Sequence, residues 1–384
     1  LTVGVVRLGA DGFIRWADES SGAFDTTTAE GITRPTTSTV SSGAGSLVRW
    51  QDLGYEGRSF VAGAARPGQP DSSCGGGADT APIRAYVGLT SADTVEQRVR
   101  LAVAELRRMG AFDRRVLVVV TPTGTGWVDP DAARAIECLY GGDTAMVAVQ
   151  YSFLPSWIAF LLDGKSPPIL GRALFDAVHD EWVAHPAGTR PRLVVFGESL
   201  GSFGAESAFS RADLAGSIEA MTSQVGGALF TGPTGNNPVF EQIVSGRVDD
   251  SPPWRPTLIG EPHLRVANRA ADIAPGQPGW PTPRVLYVHH PSDAVGTWKV
   301  ESIWRAPGWA QDPAAYDIPS AATWVPLVSF VQESFDLLNG FSANPGHGHD
   351  YSTDFVAAWA AVAPPAGWTP ADTARLAAHL DRRP

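Results

Sequence analysis

Six stretches made mostly of apolar residues, many of them β-branched, constrain the fold of this 384-residue chain most. Stretches of this kind predict strands that are buried on both faces. Amphipathic patterns predict helices between these stretches, at 92–109, 129–139 and 170–183. Three more helices are predicted near the C-terminus, at 325–338, 353–361 and 370–380. Strands that alternate with helices favour an α/β fold with a mostly parallel central sheet and helices on both faces. The six stretches are IRAYVGL (83–89), RVLVVV (115–120), TAMVAVQYS (144–152), RLVVF (192–196), GGALFTG (226–232) and PRVLYVHH (283–290), and RPTLIG (255–260) is a further candidate for a short strand.

The first 80 residues have a different character. SSGAFDTTTAEGITRPTTSTVSSGAGS is rich in Ser, Thr and Gly, and RPGQPDSSCGGGADTAP is a second loop-like stretch. We therefore divide the chain into a loop-rich N-terminal segment, residues 1–80, and an α/β domain, residues 81–384. No signal peptide is visible and the chain starts at Leu1, so we expect a processed or truncated piece of a longer protein.

Composition excludes several functional classes. The formal net charge is −11 and no basic cluster occurs, which argues against a nucleic-acid partner. TPTGTG lacks the Lys-Ser/Thr ending of a phosphate-binding loop, and no G-x-G-x-x-G opens a helix. Cys74 and Cys138 have no Cys or His partner at metal-ligand spacing, so no metal or organic cofactor is predicted. These cysteines form one disulfide if the chain is exported, or remain two buried thiols.

The stretch of residues 144–162 carries no charge, a property that it shares with membrane-spanning segments. Its first half is β-branched and its second half contains Pro155. We interpret it as a core strand, then a loop and a short apolar helix.

The stretch RLVVFGESLGSFGAES (192–207) joins a predicted strand to a predicted helix through a G-x-S-x-G pattern centred on Ser199. In that context the pattern predicts a nucleophile elbow, a sharp turn that exposes a serine hydroxyl above the sheet. Gly197 and Gly201 permit a tight turn without side-chain clashes. The pattern is short, so Ser199 is a candidate nucleophile only if its partners follow in the sequence.

Both partners follow in the expected order, an acid after a later strand and a histidine near the C-terminus. Asp293 follows the strand in VLYVHHPSDAVG, and NPGHGHDY supplies His347 and His349 on a Gly-rich loop. We favour His349 as the base, because it follows Gly-x-Gly and precedes a helix, and keep His347 as the alternative. Without a catalytic role, Asp293 would be an ordinary turn aspartate, and His347 and His349 would be two histidines of a surface loop.

An oxyanion hole needs two further donors. The backbone N–H of Leu200 is one candidate, and Thr123 or Gly124, in the loop TPTGTGW after an earlier strand, supplies the other. An ordinary Gly-rich turn is the alternative for that loop. Glu198 adjoins Ser199 and is not assigned as the triad acid. His289 and His290, at the end of a strand, are read as structural or pocket-lining residues.

Four motifs, VLVVVTPTGTGWVDP, VVFGESLGSFG, VLYVHHPSDAV and NPGHGHDY, together resemble the catalytic domain of actinobacterial membrane-associated α/β-hydrolases, a family long catalogued as of unknown function. SLVRWQDLGYEGRSFVAG and GLTSADTVEQRVRLAVAEL are also similar to that family. The resemblance implies an α/β-hydrolase fold with a triad of Ser199, Asp293 and His349. It also implies that a membrane-spanning region, absent here, precedes residues 1–80. By likeness alone, the full-length protein would be associated with the cell membrane, with an extracytoplasmic catalytic domain that is soluble by itself.

The first functional hypothesis is therefore a serine ester hydrolase that acts on a lipid-like or acyl ester through an acyl-enzyme. SFLPSWIAFLL and WKVESIWRAPGWA could supply an acyl pocket or a cap, although aromatic residues more often belong to a core. The second hypothesis is an acyltransferase on the same triad, and the third is a non-catalytic binding module.

Overall fold

A sheet of seven parallel strands forms the centre of the protein, in the order β1-β3-β2-β4-β5-β7-β6. The structure is a computed structural model that describes residues 22–64, 74, 80–154, 158–159, 163–273, 279–311, 315–338 and 344–381. Strand β4, which leads into the G-x-S-x-G pattern, occupies the middle position. The strands are β1 (Ile83–Val87), β2 (Val116–Thr121), β3 (Thr144–Val149), β4 (Arg192–Glu198), β5 (Gly227–Thr231), β6 (Leu264–Ala267) and β7 (Arg284–Val288).

The six mostly apolar stretches supply six of these strands, and their burial explains why the stretches contain few polar residues. Every residue of β1, β2, β3 and β5 is buried, and in β4 only the first residue is partly exposed. A strand covered on both faces has no solvent side on which polar residues would be favoured.

Helix α2 (Val95–Met109) begins three residues later than predicted, and helix α3 (Pro130–Leu139) begins at the predicted Asp-Pro pair. Thr94 caps α2 and forms a capping box with Gln97, and Gly110 ends that helix with φ at 70°. Asp129 caps α3 directly before Pro130. The described α-helices are α1 (Gly54–Ala62), α2 (Val95–Met109), α3 (Pro130–Leu139), α4 (Ser166–Ala184), α5 (Leu200–Ser207), α6 (Leu214–Gln224), α7 (Pro238–Ser245), α8 (Ala294–Thr297), α9 (Gly308–Gln311), α10 (Val328–Leu338), α11 (Phe355–Val362) and α12 (Pro370–Leu380).

Two neighbouring residues of β4 show that helices cover both faces of the sheet. The ring centroid of Phe196 lies 6.0 Å from that of Phe355 and 5.4 Å from that of Trp359, both in α11. At the next residue, Gly197, an added Cβ would lie 2.3 Å from the carbonyl oxygen of Gly201 in α5. Successive strand residues point to opposite faces, so α5 and α11 lie on opposite sides of the sheet. The predicted α/β architecture is confirmed.

The described part of the N-terminal segment packs against the edge strand β1. A bridge pairs Val40 with Arg84 of β1. The buried Arg84 guanidinium donates to the carbonyl of Phe60 in α1 (2.7 Å) and to both carboxylate oxygens of Glu137 in α3 (2.7 and 2.8 Å). The segment predicted to be loop-rich therefore contains a helix, α1, and contributes to the main core through Val40, Val48, Leu53, Phe60 and Val61. The division at residue 80 stays a prediction.

One predicted strand is wrong. Residues 255–260 form a loop, and the edge strand is β6, which pairs with β7. The side chain of Ile259 is 85% exposed, so this short apolar run has no core in which to bury itself. Strand β6 was not predicted, because it is only four residues long and contains Arg265. Helix α4 also begins earlier than predicted, with Pro167 in its first turn, where proline is tolerated.

The structure resolves two further alternatives. Cys74 and Cys138 form a disulfide, which ties residue 74 to α3. In the uncharged stretch 144–162, residues 144–149 form β3 as predicted, while 155–157 and 160–162 lie outside the described residues. Among the described helices, none combines the length and apolar character that crossing a bilayer requires.

Candidate active site

Ser199 occupies the sharp turn between β4 and α5. Its backbone has φ 55° and ψ −128°, a conformation that costs a residue with a side chain about 1–3 kcal/mol. The two flanking glycines permit this turn, because a Cβ on Gly197 would lie 2.3 Å from the oxygen of Gly201, and a Cβ on Gly201 would lie 2.2 Å from the oxygen of Thr121. Ser199 N–H donates to the carbonyl of Thr231 in β5 (3.0 Å). The strained turn has the geometry of a nucleophile elbow.

Asp293 and His349 form a buried, hydrogen-bonded pair. Oδ1 of Asp293 accepts from the N–H of Val295 (2.9 Å), which makes Asp293 the cap of α8, and Oδ2 lies 2.7 Å from Nδ1 of His349. Asp293 is 0% exposed and His349 3% exposed. A carboxylate at this nitrogen favours the tautomer with a proton on Nδ1, so Nε2 is the nitrogen that can accept one.

Gly232 places this pair beside the elbow. It follows Thr231, whose carbonyl accepts the hydrogen bond from Ser199, and its φ is 52°. A Cβ on Gly232 would lie 2.6 Å from Cε1 of His349 and 2.9 Å from Cε2 of Tyr351. The imidazole therefore covers a position where only glycine fits. The Asp293–His349 pair therefore lies next to the end of β5 that accepts the hydrogen bond from Ser199.

The alternative base, His347, lies elsewhere on the same loop. Its side chain is exposed, and its ring centroid is 6.0 Å from that of Tyr316. The hydrogen bond to Asp293 belongs to His349.

The predicted oxyanion donors lie where α5 meets the loop after β2. Leu200 is the first residue of α5, so its N–H has no acceptor within the helix. Thr123 N–H donates to the carbonyl of Trp127 (2.9 Å). For the N–H of Gly124 we find no acceptor in the described part of the chain. This difference favours Gly124 over Thr123 as the second donor.

A family model described as "Alpha/beta-hydrolase family" matches residues 83–376, and a second, "Alpha/beta-hydrolase family N-terminus", matches residues 1–64. The chain belongs to the α/β-hydrolase family. Membership confirms the predicted family and fold class and supports a hydrolase.

Two similar solved structures are acetyl xylan esterases. One is an acetyl xylan esterase (TM-score 0.29, 15% identity, 48% of this chain and 85% of that chain). The other is the catalytic core domain of acetyl xylan esterase from Trichoderma reesei (TM-score 0.27, 16% identity, 48% of this chain and 84% of that chain). Likeness at this level carries no argument about the substrate of this hydrolase. No curated protein matches its sequence.

The carboxyl groups around the site of this hydrolase differ in charge. Burial raises the pKa of Glu198 well above its ordinary value, and the charges of Asp129 and Asp293 add to this effect. Burial likewise raises the pKa of Asp129 to about 7. Burial alone would also raise the pKa of Asp293, but the charge and hydrogen bond of His349 outweigh it and hold that pKa below its ordinary value. The site thus favours the ionised form of Asp293, the partner of the histidine, and the protonated form of Glu198.

Tyr351 is a residue of the site that the sequence analysis missed. Its hydroxyl donates to Oδ2 of Asp293 (2.8 Å), the same oxygen that contacts His349. Its ring stacks on His290 at 4.1 Å between centroids. The available signal was its position two residues after the histidine in GHGHDY.

His290 fixes the loop that carries the candidate base. Its Nδ1 donates to the carbonyl of Gly348 (2.8 Å), and its Nε2 lies 2.9 Å from a carboxylate oxygen of Asp354. Burial lowers the pKa of His290, but the hydrogen bond and charge of Asp354 outweigh it, so the pKa lies above its ordinary value. Both partners are acceptors, which favours an imidazolium that donates at both nitrogens. The predicted structural role of His290 therefore fits its contacts.

An apolar cluster adjoins the elbow and is separate from the main core. Leu200 follows Ser199, and Val295 lies two residues after Asp293. Two members, Leu154 and Ala159, come from the apolar stretch SFLPSWIAFLL, most of whose remaining residues lie outside the described ranges. The cluster beside the elbow consists of Ala159, Leu200, Val295 and Leu337, with Leu154, Phe203 and Trp298 packed against it. Within the described ranges, no group of three or more His, Cys, Asp or Glu could hold a metal ion.

Proposed function

We propose that this protein is a serine ester hydrolase in which Ser199 is the nucleophile, His349 the general base and Asp293 the residue that orients the histidine. The observation that carries the proposal is the 2.7 Å contact between Asp293 and His349, with the imidazole covering Gly232 beside the elbow. The strained backbone of Ser199 supports it, because such strain is retained where a site requires it.

The reaction follows from the roles of these groups. Nε2 of His349 removes the proton from Oγ of Ser199 as Oγ attacks the ester carbonyl carbon. The amides of Leu200 and Gly124 would stabilise the resulting oxyanion. The alcohol then leaves with the proton from His349, and water activated by the same nitrogen releases the acid from the acyl-enzyme.

The apolar cluster beside the elbow supports an acyl or lipid-like ester as substrate. Leu200 of this cluster adjoins the nucleophile and Val295 lies two residues after the acid, so we place the acyl chain bonded to Ser199 against the cluster. Burial of a chain there contributes about 0.8 kcal/mol for each methylene group.

An acyltransferase on the same triad is the second candidate. Ser199 is only 4% exposed and His349 3%, and the neighbouring cluster is apolar. A site with little water favours an alcohol acceptor over hydrolysis at the deacylation step. Product analysis with added alcohols separates the two activities. A non-catalytic binding module, the third reading, would not need the strained serine or the buried Asp–His pair.

We further propose that the catalytic domain works outside the cytoplasmic membrane, as part of a membrane-associated protein. The disulfide between Cys74 and Cys138 supports this location, because such bonds persist in oxidising compartments.

Intact mass after treatment with a fluorophosphonate tests the proposed function. We expect one adduct on the wild type and none on Ser199→Ala. His349→Ala should lose labelling, whereas the matched variant His347→Ala, on the same loop but without the contact to Asp293, should keep it. No adduct on folded wild-type protein would contradict the proposal and favour the binding-module reading. Loss of labelling in His347→Ala alone would reassign the base.

A further inference from the structure

A cavity of about 570 Å³ lies beside α7 and is separate from the elbow, because Ser199 does not line it. Its walls come from α7, from the loop before α7 and from the chain that follows α8. Its volume lies within the range of small-molecule sites. Gly296 of α8 is a lining residue, so this cavity and Asp293 lie on opposite ends of the same short helix.

His289 lines the cavity as an unpartnered polar group. Its side chain is 3% exposed, and its Nδ1 has no hydrogen-bond partner in the described part of the protein. The ring lies edge-on to Phe240, 5.4 Å between centroids. Burial lowers the pKa of His289 to about 4, so the imidazole is neutral at pH 7 and offers one donor and one acceptor. An unsatisfied group of this kind costs free energy unless a ligand or water pairs with it.

Aromatic side chains also line the cavity, and one of them carries a hydrogen-bond donor without an acceptor in the described part of the chain. The indole Nε1–H of Trp254 is buried and has no acceptor among the described residues. Phe240 and Trp309 add two more aromatic rings to the lining. The face of an aromatic ring packs against C–H groups, and the indole N–H donates to a hydroxyl group. This lining therefore suits a ligand that carries both C–H and O–H groups.

The charged side chains of the cavity have both signs. Arg247, Lys299 and Arg305 contribute cations, and Glu241 and Glu301 contribute carboxylates. In the described ranges none of these five forms an ion pair with another. A ligand of a single charge would meet repulsion from part of this set, whereas hydroxyl groups both donate to carboxylates and accept from cations.

We propose that this cavity binds a polyhydroxylated small molecule, a saccharide or a cyclitol, with His289 and the Trp254 indole N–H as its buried hydrogen-bonding partners. Aromatic rings take the C–H face of the ligand, and the charged side chains contact its outer hydroxyls. The proposal does not rest on the esterase activity, because binding can be measured on the Ser199→Ala variant.

Saturation-transfer NMR and tryptophan fluorescence on Ser199→Ala test it, with methyl glucoside, maltose and myo-inositol as probes. We expect saturable binding that Trp254→Phe weakens roughly 3- to 10-fold through the loss of one hydrogen bond. His289→Leu should weaken binding as well. Trp182→Phe is the matched control and should bind as the parent does, because its indole donates to the carbonyl of Pro191, directly before the middle strand β4, and Trp182 does not line the cavity.

The outcomes are distinct. Absence of saturable polyol binding to folded protein overturns the proposal. It is also overturned if Trp254→Phe and His289→Leu both bind the polyols as tightly as the parent Ser199→Ala protein does. Preference for hexanoate or inorganic phosphate over every polyol also overturns it. Fluorophosphonate labelling of the Ser199-containing protein reports the esterase proposal separately.

A second arm identifies the source of the ligand. If it is the sugar part of an ester substrate, Trp254→Phe in the Ser199-containing protein raises KM for a sugar ester and leaves KM for a p-nitrophenyl ester of the same acid unchanged. If it is a free saccharide, both KM values stay the same while binding is weakened.

Discussion

The carboxylate of Asp293 receives three hydrogen bonds, from a backbone amide, from the imidazole of His349 and from the hydroxyl of Tyr351. All three stabilise the ionised form in a place where burial opposes it. We therefore expect Tyr351 to be a positioning residue that acts on the imidazole of His349 through the carboxylate.

Tyr351→Phe should lower kcat/KM about tenfold, the effect of one hydrogen bond to a charged group. Because the lost bond stabilises the Asp293 carboxylate, the acid limb of the pH–rate profile should move to higher pH. The measurement is kcat/KM for a p-nitrophenyl ester as a function of pH. Tyr140→Phe is the matched control, since it also loses one hydroxyl hydrogen bond, to the carbonyl of Ala363, away from the site. An acid limb that does not move would leave Tyr351 with a packing role alone.

At the scale of the element, the elbow depends on close contact between α5 and the end of β2. Gly201→Ala should abolish folding or lower the melting temperature by about 4 °C or more, roughly what a loss of over 2 kcal/mol produces in a large domain, because its Cβ would lie 2.2 Å from the backbone oxygen of Thr121. Gly188→Ala is the control, with nothing within 4 Å of an added Cβ. Circular dichroism melts of both variants give the comparison. Equal melting temperatures would show that the helix can move away from β2.

The cap of α3 carries a pH dependence. Asp129 has a pKa of about 7 in the folded protein and an ordinary value near 3.9 when unfolded. The folded state therefore binds more protons, so stability is highest below pH 4 for this group and falls as the pH rises from about 4 to 7. Asp129→Asn keeps a capping oxygen and removes the charge.

Melting temperatures of Asp129→Asn should consequently fall less between pH 4 and pH 8 than those of the wild type. The exposed Asp113→Asn serves as the control and should follow the wild-type curve. A curve for Asp129→Asn that parallels the wild type over this range would show that Asp129 ionises without cost.

The sequence predicts the strands and the residues of the candidate active site to different extents. Long apolar runs specify strands that are buried on both faces, so six strands were predictable, whereas the short edge strand β6, with Arg265 within it, was not. Ser199, Asp293 and His349 could be proposed because the chemistry requires these residue types and the α/β-hydrolase fold places them on loops in this order. The roles of Tyr351 and His290 depend on contacts between distant segments, which no local pattern encodes.

Across the whole molecule, the disulfide between Cys74 and Cys138 closes a loop with a sequence separation of 64 residues. Its removal in Cys74→Ala/Cys138→Ala should destabilise the protein by roughly 2–4 kcal/mol, because the unfolded chain gains the conformations that the bond excludes. Chemical denaturation with and without a reductant measures this. Reductant should destabilise the wild type and leave the double variant unchanged, and insensitivity of both would contradict the expectation.

The Arg84 guanidinium joins three parts of the chain that are far apart in sequence, since Phe60 lies in the N-terminal segment and Glu137 in α3. A chain that began at residue 83 would leave this buried cation without one of its acceptors and would expose the edge of β1 that Val40 covers. We therefore expect the described residues of the N-terminal segment to unfold together with the α/β domain. Exchange of the N-terminal segment between relatives would succeed only if the residues around the arginine were exchanged with it.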